Sequence, residues 1–399
     1  MEDGVNLPFA GLRVLDISQG VAGPYCAEIL WQQGAEVVKV EPPKGDWSRH
    51  VGVIRGQQSA TSLSYNIGKK GLCLDAHTAE GKRILRLLAG QADILVQNFR
   101  PGVVERLGIG YASLADEHPG LVYVSISGYG PDGPYATAPA SDSVIQADSG
   151  LMFSNQDEAG KPRRVGLLLA DIATGLYAAQ ATAAALYTRL KTNTGTHVQI
   201  NLLEASAALQ FGDITSYSIA GARPQGAISA PNGVFATADG TLSVLVLNNE
   251  QFARLCQAVQ QPQWLTESRF SSNEQRLQHR DILHAALGDI LARETNEVWM
   301  ARFAAADVLH AQVRDYDALL AHPQAVHSGL FASLHQPGVG DVRFVGVPGG
   351  SGRRAPVAAP DIGQHTVEIL HAAGVPQSEI ESLLKTGAVR QSKKMMEAS

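Results

Sequence analysis

A lone carboxylate in a long apolar stretch is the first candidate for chemistry in this chain. Asp171 stands in the run 165–190, and no other Asp or Glu occurs between Glu158 and Glu204. Asp is a good helix N-cap, and the pattern predicts an apolar helix that begins at Ile172, so capping is one role. Burial would raise the pKa of this carboxylate, while backbone N–H groups at a helix start favour its charged form. A reacting, nucleophilic group is the other role, and the pattern leaves both open.

Three strand-to-turn transitions could bring further groups to a ligand. QGVAGP (residues 19–24), NFRPGVVERLG (98–108) and SISGYGPDGP (125–134) each follow or end a strand-like run. Glycine-rich turns present backbone N–H groups at the carboxyl ends of strands, where open α/β sheets bind ligands. In the second transition, Arg100 and Arg106 could hold a phosphate. A structural turn, a solvated helix start and a plain loop are the respective alternatives.

Several familiar sites are missing from the sequence. QGVAGP lacks the GxGxxG spacing of a dinucleotide site, and no HxH, HExxH or GxSxG occurs, so neither a metal site nor a serine hydrolase elbow is expected. Cys26, Cys73 and Cys256 form no CxxC pair, which favours reduced cysteines in a cytosolic protein.

The composition is that of an ordinary folded protein. The length of 399 residues is enough for two domains. Of these residues, 45% are hydrophobic and 18% are charged, as in ordinary soluble proteins. A net charge of −6 argues against a nucleic-acid surface, which usually carries a basic excess. The N-terminus lacks an apolar signal core, and Asp171 makes the Ala-rich run a buried helix rather than a membrane span. We therefore expect a soluble, cytoplasmic protein that binds neither nucleic acid nor membrane.

Alternating strand and helix patterns predict an α/β fold with a parallel sheet. GLRVLDIS, AEVVKVEPP, KGLCLD, ADILVQNF and GLVYVSISGYG are typical strands, and TAEGKRILRLLAGQ is a helix with Thr78 as its N-cap. THVQINLL predicts a further strand, followed by a helix from Glu204. NGVFATADGTLSVLVL predicts a hairpin that turns at ADG, and helical stretches run from about Asn249 to Ala306. The Pro- and Gly-containing segment 221–233 is the predicted boundary.

These motifs occur together in an order that resembles a known family. GLRVLDISQGVAGPYCAEILWQQGAEVVKVEPPKGD, NIGKKGLCLDAHTAEGKRIL, ADILVQNFRPGVVERLGIGY, LVYVSISGYGPDGPY and LLLADIATGLYAA resemble the class III CoA-transferases. Formyl-CoA transferase, carnitine CoA-transferase and α-methylacyl-CoA racemase belong to this superfamily. The likeness covers about the first 210 residues and resumes at ADGTLSVLVLNNEQFARLC, DYDALLAHPQAVHSG and PDIGQHTVEIL.

The resemblance implies an architecture that spacing alone does not reveal. It implies a Rossmann-like large domain from residues 1–223 and 326–399, with a smaller α+β domain, residues 224–325, inserted between them. Two such chains would interlock as a homodimer. In relatives a flexible glycine-rich loop of the small domain covers the site. The matching stretch here reads LNNEQF (residues 247–252), without consecutive glycines.

The resemblance also implies a reaction. The catalytic aspartate of the family falls on Asp171, whose carboxylate would attack an acyl-CoA thioester and form a mixed anhydride. The CoA thiolate would then form an aspartyl-CoA thioester, from which the acceptor acid takes CoA. The partners are therefore an acyl-CoA donor and a carboxylic acid acceptor. CoA enters as part of a substrate, so no tightly bound cofactor is expected.

Further site residues follow from the motif match. The resemblance places CoA contacts at six positions and the acyl pocket at three. Because Ser141 is small, it suggests a roomier pocket, suited to a dicarboxylic acyl group. The CoA positions are Ala22, Leu74, Asn98, Phe99, Arg106 and Leu107, and the pocket positions are Val21, Ser141 and Asp142.

Two other functions fit the same resemblance. An α-methylacyl-CoA racemase or epimerase exchanges an α-proton with a histidine–aspartate pair, and its histidine falls on Ser141 here. The loss of that base argues for transfer over racemisation. A non-catalytic CoA-binding subunit is the second alternative, and the retained Asp171 argues against it.

Overall fold

A computed structural model describes residues 7–157, 159–221, 228–349 and 354–392. The chain divides into two compact units, one formed by Met1–Ile214 with Gly329–Ser399 and the other by Thr215–Ser328. The boundary predicted between residues 223 and 224 lies outside the described residues. The boundary predicted between residues 325 and 326 stays a prediction.

The strands of the described residues form one large and three small sheets. Six strands of the large sheet are parallel, and a short C-terminal strand joins its edge antiparallel. In chain order the strands β1–β14 are Arg13–Asp16, Glu36–Glu41, Ile54–Arg55, Gln58–Ser59, Lys70–Leu74, Ile94–Gln97, Val122–Ser127, His197–Asn201, Asn232–Ala236, Thr241–Leu245, Leu309–Gln312, Phe331–Gln336, Gly340–Val345 and Val389–Arg390.

Helices connect these strands and cover the large sheet. Short 3₁₀ turns occur at Trp47–His50, Pro262–Leu265 and Ser268–Phe270. In chain order the helices α1–α18 of the described residues are Ala22–Gln32, Ala60–Ser64, Ala79–Ala89, Val103–Arg106, Tyr111–Ala115, Asp142–Asp148, Leu151–Ser154, Leu169–Thr192, Leu202–Leu209, Phe211–Ala220, Asn249–Ala258, Asn273–Gln278, Arg280–Leu291, Asn296–Ala305, Tyr316–Leu320, Pro323–His327, Thr366–Ala372 and Gln377–Thr386.

The order of the large sheet fixes where a ligand can bind. Its strands lie in the order β14-β5-β2-β1-β6-β7-β8. After β1 the chain adds β2 and β5 on one side, and it then returns to add β6, β7 and β8 on the other side of β1. The connections after β1 and β6 therefore diverge and leave a crevice at the carboxyl ends of these two strands. The predicted α/β class with a large, mainly parallel sheet is confirmed.

Two apolar cores lie on opposite faces of this sheet. Neighbouring residues of β1, Val14 and Leu15, belong to different clusters, as expected when successive side chains of a strand point to opposite faces. Helices α1 and α8 cover the face of Val14, and α3, α17 and α18 cover the other. Thr78 caps α3, as predicted, by accepting a hydrogen bond from the Gly81 N–H.

Helices α1 and α8 pack closely because one of them has a glycine at the contact. A Cβ placed on Gly175 of α8 would lie 2.9 Å from the carbonyl oxygen of Ala22 and 3.0 Å from the ring of Tyr25. A larger residue would push the two helices apart. The position of the first turn of α8 relative to β1 therefore depends on this glycine.

A buried charge cluster lies beneath the end of β1. The Lys69 ammonium donates to the Asp16 carboxylate at 2.8 Å and to the Pro24 carbonyl at 2.9 Å, and Asp16 and Lys69 are fully buried. A second buried ammonium, that of Lys39, lies 3.7 Å from the same carboxylate and 3.3 Å from Asp46. Burial disfavours the charge on Asp16, but the two lysines outweigh it and hold its pKa below the ordinary value.

The smaller unit has its own sheet and core. Strands β9 and β10 form the predicted antiparallel hairpin, and β11 pairs with β10. The stretch LNNEQF begins helix α11: Asn248 accepts from the Gln251 N–H, and the Gln251 side chain accepts from the Leu247 N–H. Across the described residues, no helix is both long and apolar enough to cross a membrane.

Loss of one buried lysine should be costly, whereas loss of its neighbour should not. In Lys69→Ala, Asp16 keeps only the more distant Lys39, so the free energy of unfolding should fall by about 3–5 kcal/mol. The matched control is Lys70→Ala, because Lys70 pairs with Glu368 on the surface and such pairs contribute less than about 1 kcal/mol. Urea titrations followed by circular dichroism measure both. Equal losses in the two variants would contradict a structural role for the buried pair.

Candidate active site

A cavity of about 350 Å³ lies at the crevice between β1 and β6. Its walls come from the turn after β1, the loop after β6, the loop after β7 and the first turn of α8. Parallel strands bring all of these connections to one edge of the sheet, so residues distant in sequence face one space. The lining residues are Gln19, Val21, Ala22, Trp47, Asn98, Phe99, Arg100, Ile126, Ser127, Gly128, Ala140, Ser141, Asp142, Asp171 and Leu202.

The side chain of Asn98 holds the turn after β1 in place. Its amide oxygen accepts from the Gln19 N–H at 2.8 Å, and its amide nitrogen donates to the Gln19 carbonyl at 2.6 Å. The next residue, Gly20, donates its N–H to the Asp46 carboxylate at 3.0 Å. The loop after β6 is thereby tied to the turn after β1, and the mouth of the cavity has a fixed backbone.

An indole ring forms one wall above this turn. Gly20 has φ +81°, and a Cβ there would lie 2.3 Å from the Trp47 ring. Only glycine therefore allows the ring this close to the backbone. Trp47 remains 53% exposed, which is high for a tryptophan and leaves a large apolar surface facing the cavity.

The first turn of α8 is capped from another helix. The buried Asp142 carboxylate, at the start of α6, accepts from the Ala170 N–H at 2.9 Å and from the Asp171 N–H at 3.4 Å. Its other oxygen accepts from the Gln146 amide at 2.8 Å, and the same amide also donates to the Leu167 carbonyl. Asp142 thus satisfies backbone donors that a helix leaves free at its start.

The expectation that Asp171 caps its own helix is wrong. Helix α8 begins at Leu169, three residues before the predicted Ile172, and Asp171 is its third residue. The N-cap residue of α8 is Leu168, whose side chain forms no capping hydrogen bond. Because Asp142 accepts from the N–H groups of Ala170 and Asp171, these two groups are not left to stabilise the charge of Asp171.

The electrostatics of the site follow from this arrangement. Burial, followed by the neighbouring negative charge of Asp142, raises the pKa of Asp171 to about 7. Burial, Tyr25 and the charge of Asp171 together raise the pKa of Tyr65 to about 12, so its hydroxyl stays protonated near the carboxylate. Asp171 therefore changes between acid and carboxylate near neutral pH. Such a group can act as a base or as a nucleophile.

Seven of the ten sequence-predicted site residues line the cavity, and three do not. Leu74 ends β5, is buried in the core and pairs with Val389 of β14. Leu107 follows α4 and packs partly buried against the same core. Arg106 is exposed, and its guanidinium lies 3.2 Å from where a Cβ on Gly102 would stand, so it reaches back over the loop after β6.

Three residues of the site, Trp47, Tyr65 and Gln146, were not among the sequence predictions, and a fourth, Arg100, was predicted in another role. Trp47 and Tyr65 gave no local signal, because neither belongs to a motif and only the fold brings them near Asp171. Gln146 lies one helical turn after Asp142, and this i, i+4 spacing could have predicted their side-chain contact. Arg100 was noted beside Arg106 as a possible phosphate contact, and here it lines the cavity itself.

The sequence of this chain is similar to those of known enzymes. The model of CoA-transferase family III matches residues 9–366. Human succinyl-CoA:glutarate CoA-transferase is 33% identical over 96% of this chain and 90% of its own length. Acetyl-CoA:oxalate CoA-transferase of Acetobacter aceti is 34% identical over 76% of this chain and 78% of its own length.

A solved structure shows the same fold. The crystal structure of a CAIB/BAIF family protein from Brucella suis superposes with a TM-score of 0.84 at 28% identity, covering 92% of this chain and all of that one. The predicted enzyme class is confirmed, and the substrates of this class are CoA thioesters. The chain belongs to CoA-transferase family III.

Proposed function

We propose that this protein moves CoA from an acyl-CoA donor to a carboxylic acid acceptor, with Asp171 as the nucleophile. The observation that carries the proposal is a single half-buried carboxylate with a pKa of about 7 that faces a cavity at the ligand-binding edge of the sheet. At a pH slightly above 7 most of this group is ionised. Less water surrounds it than surrounds a surface carboxylate, so it is the stronger nucleophile.

The reaction proceeds through two kinds of covalent intermediate. A carboxylate oxygen of Asp171 attacks the thioester carbonyl, the C–S bond breaks, and CoA leaves as the thiolate with the electron pair. The thiolate attacks the aspartyl carbonyl of the mixed anhydride and releases the first acid as its carboxylate. The acceptor carboxylate attacks the aspartyl-CoA thioester and regenerates an anhydride and the thiolate. Attack of the thiolate on the new acyl carbonyl yields the new acyl-CoA and free Asp171.

The residues around Asp171 support these steps. Asn98 fixes the turn after β1, and the walls made by Val21 and Ala22 are buried and apolar. We propose that Phe99 and Arg106 contact the CoA handle, whose binding holds the reacting carbonyl at Asp171. Leu74 and Leu107 are buried or half-buried, so in this proposal they shape the backbone that CoA contacts.

The substrates follow from the relatives and from the cavity. The relatives are named for succinyl-CoA with glutarate and for acetyl-CoA with oxalate. Both pairs consist of an acyl-CoA and a free carboxylic acid, and we propose the same two classes here. A racemase would need a second base beside Asp171, and the serine hydroxyl of Ser141 is too weak a base for that role.

We further propose that two copies of the chain form an interlocked homodimer through a Rossmann-like large domain. Helix α8 supports an interface, because several large apolar side chains on it are exposed. Leu190 is 84% exposed and Tyr187 is 61% exposed, and Leu176 is exposed on the same helix. Side chains of this kind are typical of surfaces that another subunit covers.

Removal of the nucleophile should abolish CoA exchange. In Asp171→Asn and Asp171→Ala, the exchange rate should fall at least about 10³-fold, because no anhydride can form. With acyl-CoA and hydroxylamine, the native protein should gain a hydroxamate on Asp171, detected by mass spectrometry of its peptides. Asp148→Asn, an exposed change on α6, is the control and should keep its activity. Native exchange rates in both Asp171 variants would overturn the proposal.

A change at Asp142 should move the pH profile. In Asp142→Asn the negative charge beside Asp171 is lost while an oxygen remains to accept from the Ala170 N–H. The pKa of Asp171 should fall, and the acid limb of the kcat/KM profile should move by about one pH unit toward lower pH. Exchange assays from pH 5 to 9 measure the shift. Asp148→Asn should leave the limb in place, and an unmoved limb in Asp142→Asn would contradict the coupling.

The same electrostatics should make the nucleophile a cost to stability. The pKa of Asp171 is about 7 in the folded chain and ordinarily 3.8, so folding favours the protonated form. The stability that the protonated Asp171 side chain contributes to the folded state is fully present below about pH 4 and is lost as the pH rises through 7. Asp171→Asn should therefore unfold with a free energy about 2–4 kcal/mol higher than the native chain at pH 8, and equal to it near pH 4. Urea titrations at both pH values test this, and a constant difference would exclude the explanation.

A further inference from the structure

The cavity of the candidate site has an unbalanced set of charges. Two carboxylates line it, those of Asp142 and Asp171, and Arg100 is the one cation among its lining residues, all of which lie in the described part of the chain. An anionic group that enters this space meets repulsion from both carboxylates. A ligand with a second negative charge therefore needs Arg100 to offset that repulsion.

The two carboxylates differ in what they can still bind. Both oxygens of Asp142 accept hydrogen bonds from the protein, one from the Ala170 N–H and the other from Gln146. Asp142 is committed to holding α8, and Asp171 faces the reacting carbonyl. Neither can recognise a distal group of the acyl chain. That task falls to the remaining charged side chain of the wall.

The backbone on either side of Arg100 is held. Asn98 is bound to the turn after β1, and the Phe99 N–H donates to the Gln97 side chain at 2.8 Å. Pro101 follows, which restricts the backbone of the residue before it. Arg100 is thus presented from a fixed loop at the carboxyl end of β6, and its long side chain is the part that can adjust.

The guanidinium of Arg100 is unpaired in the part of the chain that the structure describes. Within the described residues it forms no hydrogen bond and no ion pair, although many surface arginines of this chain do, such as Arg83 with Glu379 and Arg86 with Glu117. Arg100 is exposed, and it also lines a second cavity of about 210 Å³ that shares Phe99, Ile126 and Ser127 with the first. Five N–H donors in a planar fork are therefore available to a carboxylate in the cavity.

We propose that Arg100 binds the distal carboxylate of a dicarboxylic acyl group and so selects dicarboxylic over monocarboxylic substrates. The inference rests on the proposed function, since it assigns the far end of the acyl chain whose near end reacts at Asp171. Small side chains of the wall, at Ala140 and Ser141, leave room for the chain between the two points. A bidentate guanidinium–carboxylate pair provides both charge and orientation.

Two thioesters that differ only in the distal group test this assignment. For native protein, kcat/KM should be about 10- to 100-fold higher for glutaryl-CoA than for pentanoyl-CoA, each in exchange with its own isotopically labelled acid. Arg100→Gln should remove this preference by lowering only the glutaryl value, because pentanoyl-CoA has no distal charge. Arg100→Lys keeps the charge without the planar fork and should retain part of the preference.

The control separates the acyl chain from the CoA handle. Both thioesters carry the same CoA, so a residue that contacts its phosphates must affect both alike. Arg106→Gln should therefore lower both values in parallel and leave their ratio unchanged. A parallel fall in Arg100→Gln would overturn the proposal and make Arg100 a phosphate contact. Equal use of the two thioesters by native protein would also overturn it.

The same assay distinguishes this inference from the proposed function. If pentanoyl-CoA exchanges normally and the hydroxamate forms on Asp171, but Arg100→Gln leaves the ratio unchanged, only the assignment of Arg100 fails. If neither thioester exchanges and no hydroxamate forms, the proposed function fails, and the assignment fails with it.

Discussion

The carboxylate of Asp142 at the start of α8 is the interaction on which the site depends. It satisfies N–H groups of the first turn that would otherwise be unpaired, and it does so from a separate helix. One interaction therefore has two consequences. It anchors the residue that faces the cavity, and it places a negative charge beside Asp171 while withdrawing the donors that would stabilise its carboxylate. Burial raises the pKa of Asp171, and the negative charge of this cap raises it further.

The rest of the larger unit keeps this arrangement in register. Helix α8 lies close to α1 because Gly175 leaves no side chain between them, and α1 is tied to β1 by the buried Lys69, which contacts both Asp16 and the Pro24 carbonyl. The turn between β1 and α1 is fixed in addition by Asn98. Buried charges of this kind add little net stability compared with apolar packing. Their contribution here is geometric, because they join the turn after β1 and helix α1, against which α8 packs, to the central strands.

Many of the helices and strands could be predicted from the sequence, because they depend on local patterns. The alternating strands, the Thr78 cap and the hairpin at ADG follow from periodicity and turn chemistry within a few residues. The start of α8 could not be read in this way. An aspartate before an apolar run looks like a cap, but the true cap stands 29 positions earlier in sequence and reaches α8 only through the fold. Trp47 and Tyr65 are similar cases, because both are positioned by tertiary contacts and leave no spacing pattern.

The charged groups of the candidate site lie on different elements, an arrangement that would let one reaction serve different acids. The proposed nucleophile, Asp171, and its cap, Asp142, come from α8 and α6, whereas Arg100 comes from the loop after β6. Among the described residues, no hydrogen bond joins the guanidinium of Arg100 to either helix. Under the proposed assignment, a substitution in that loop would change the group that faces the distal end of the acyl chain without moving Asp171 and Asp142. Relatives named for glutarate and for oxalate, acids of different length, share this family. A site with fixed chemistry at one end and an exchangeable charge at the other accommodates that range.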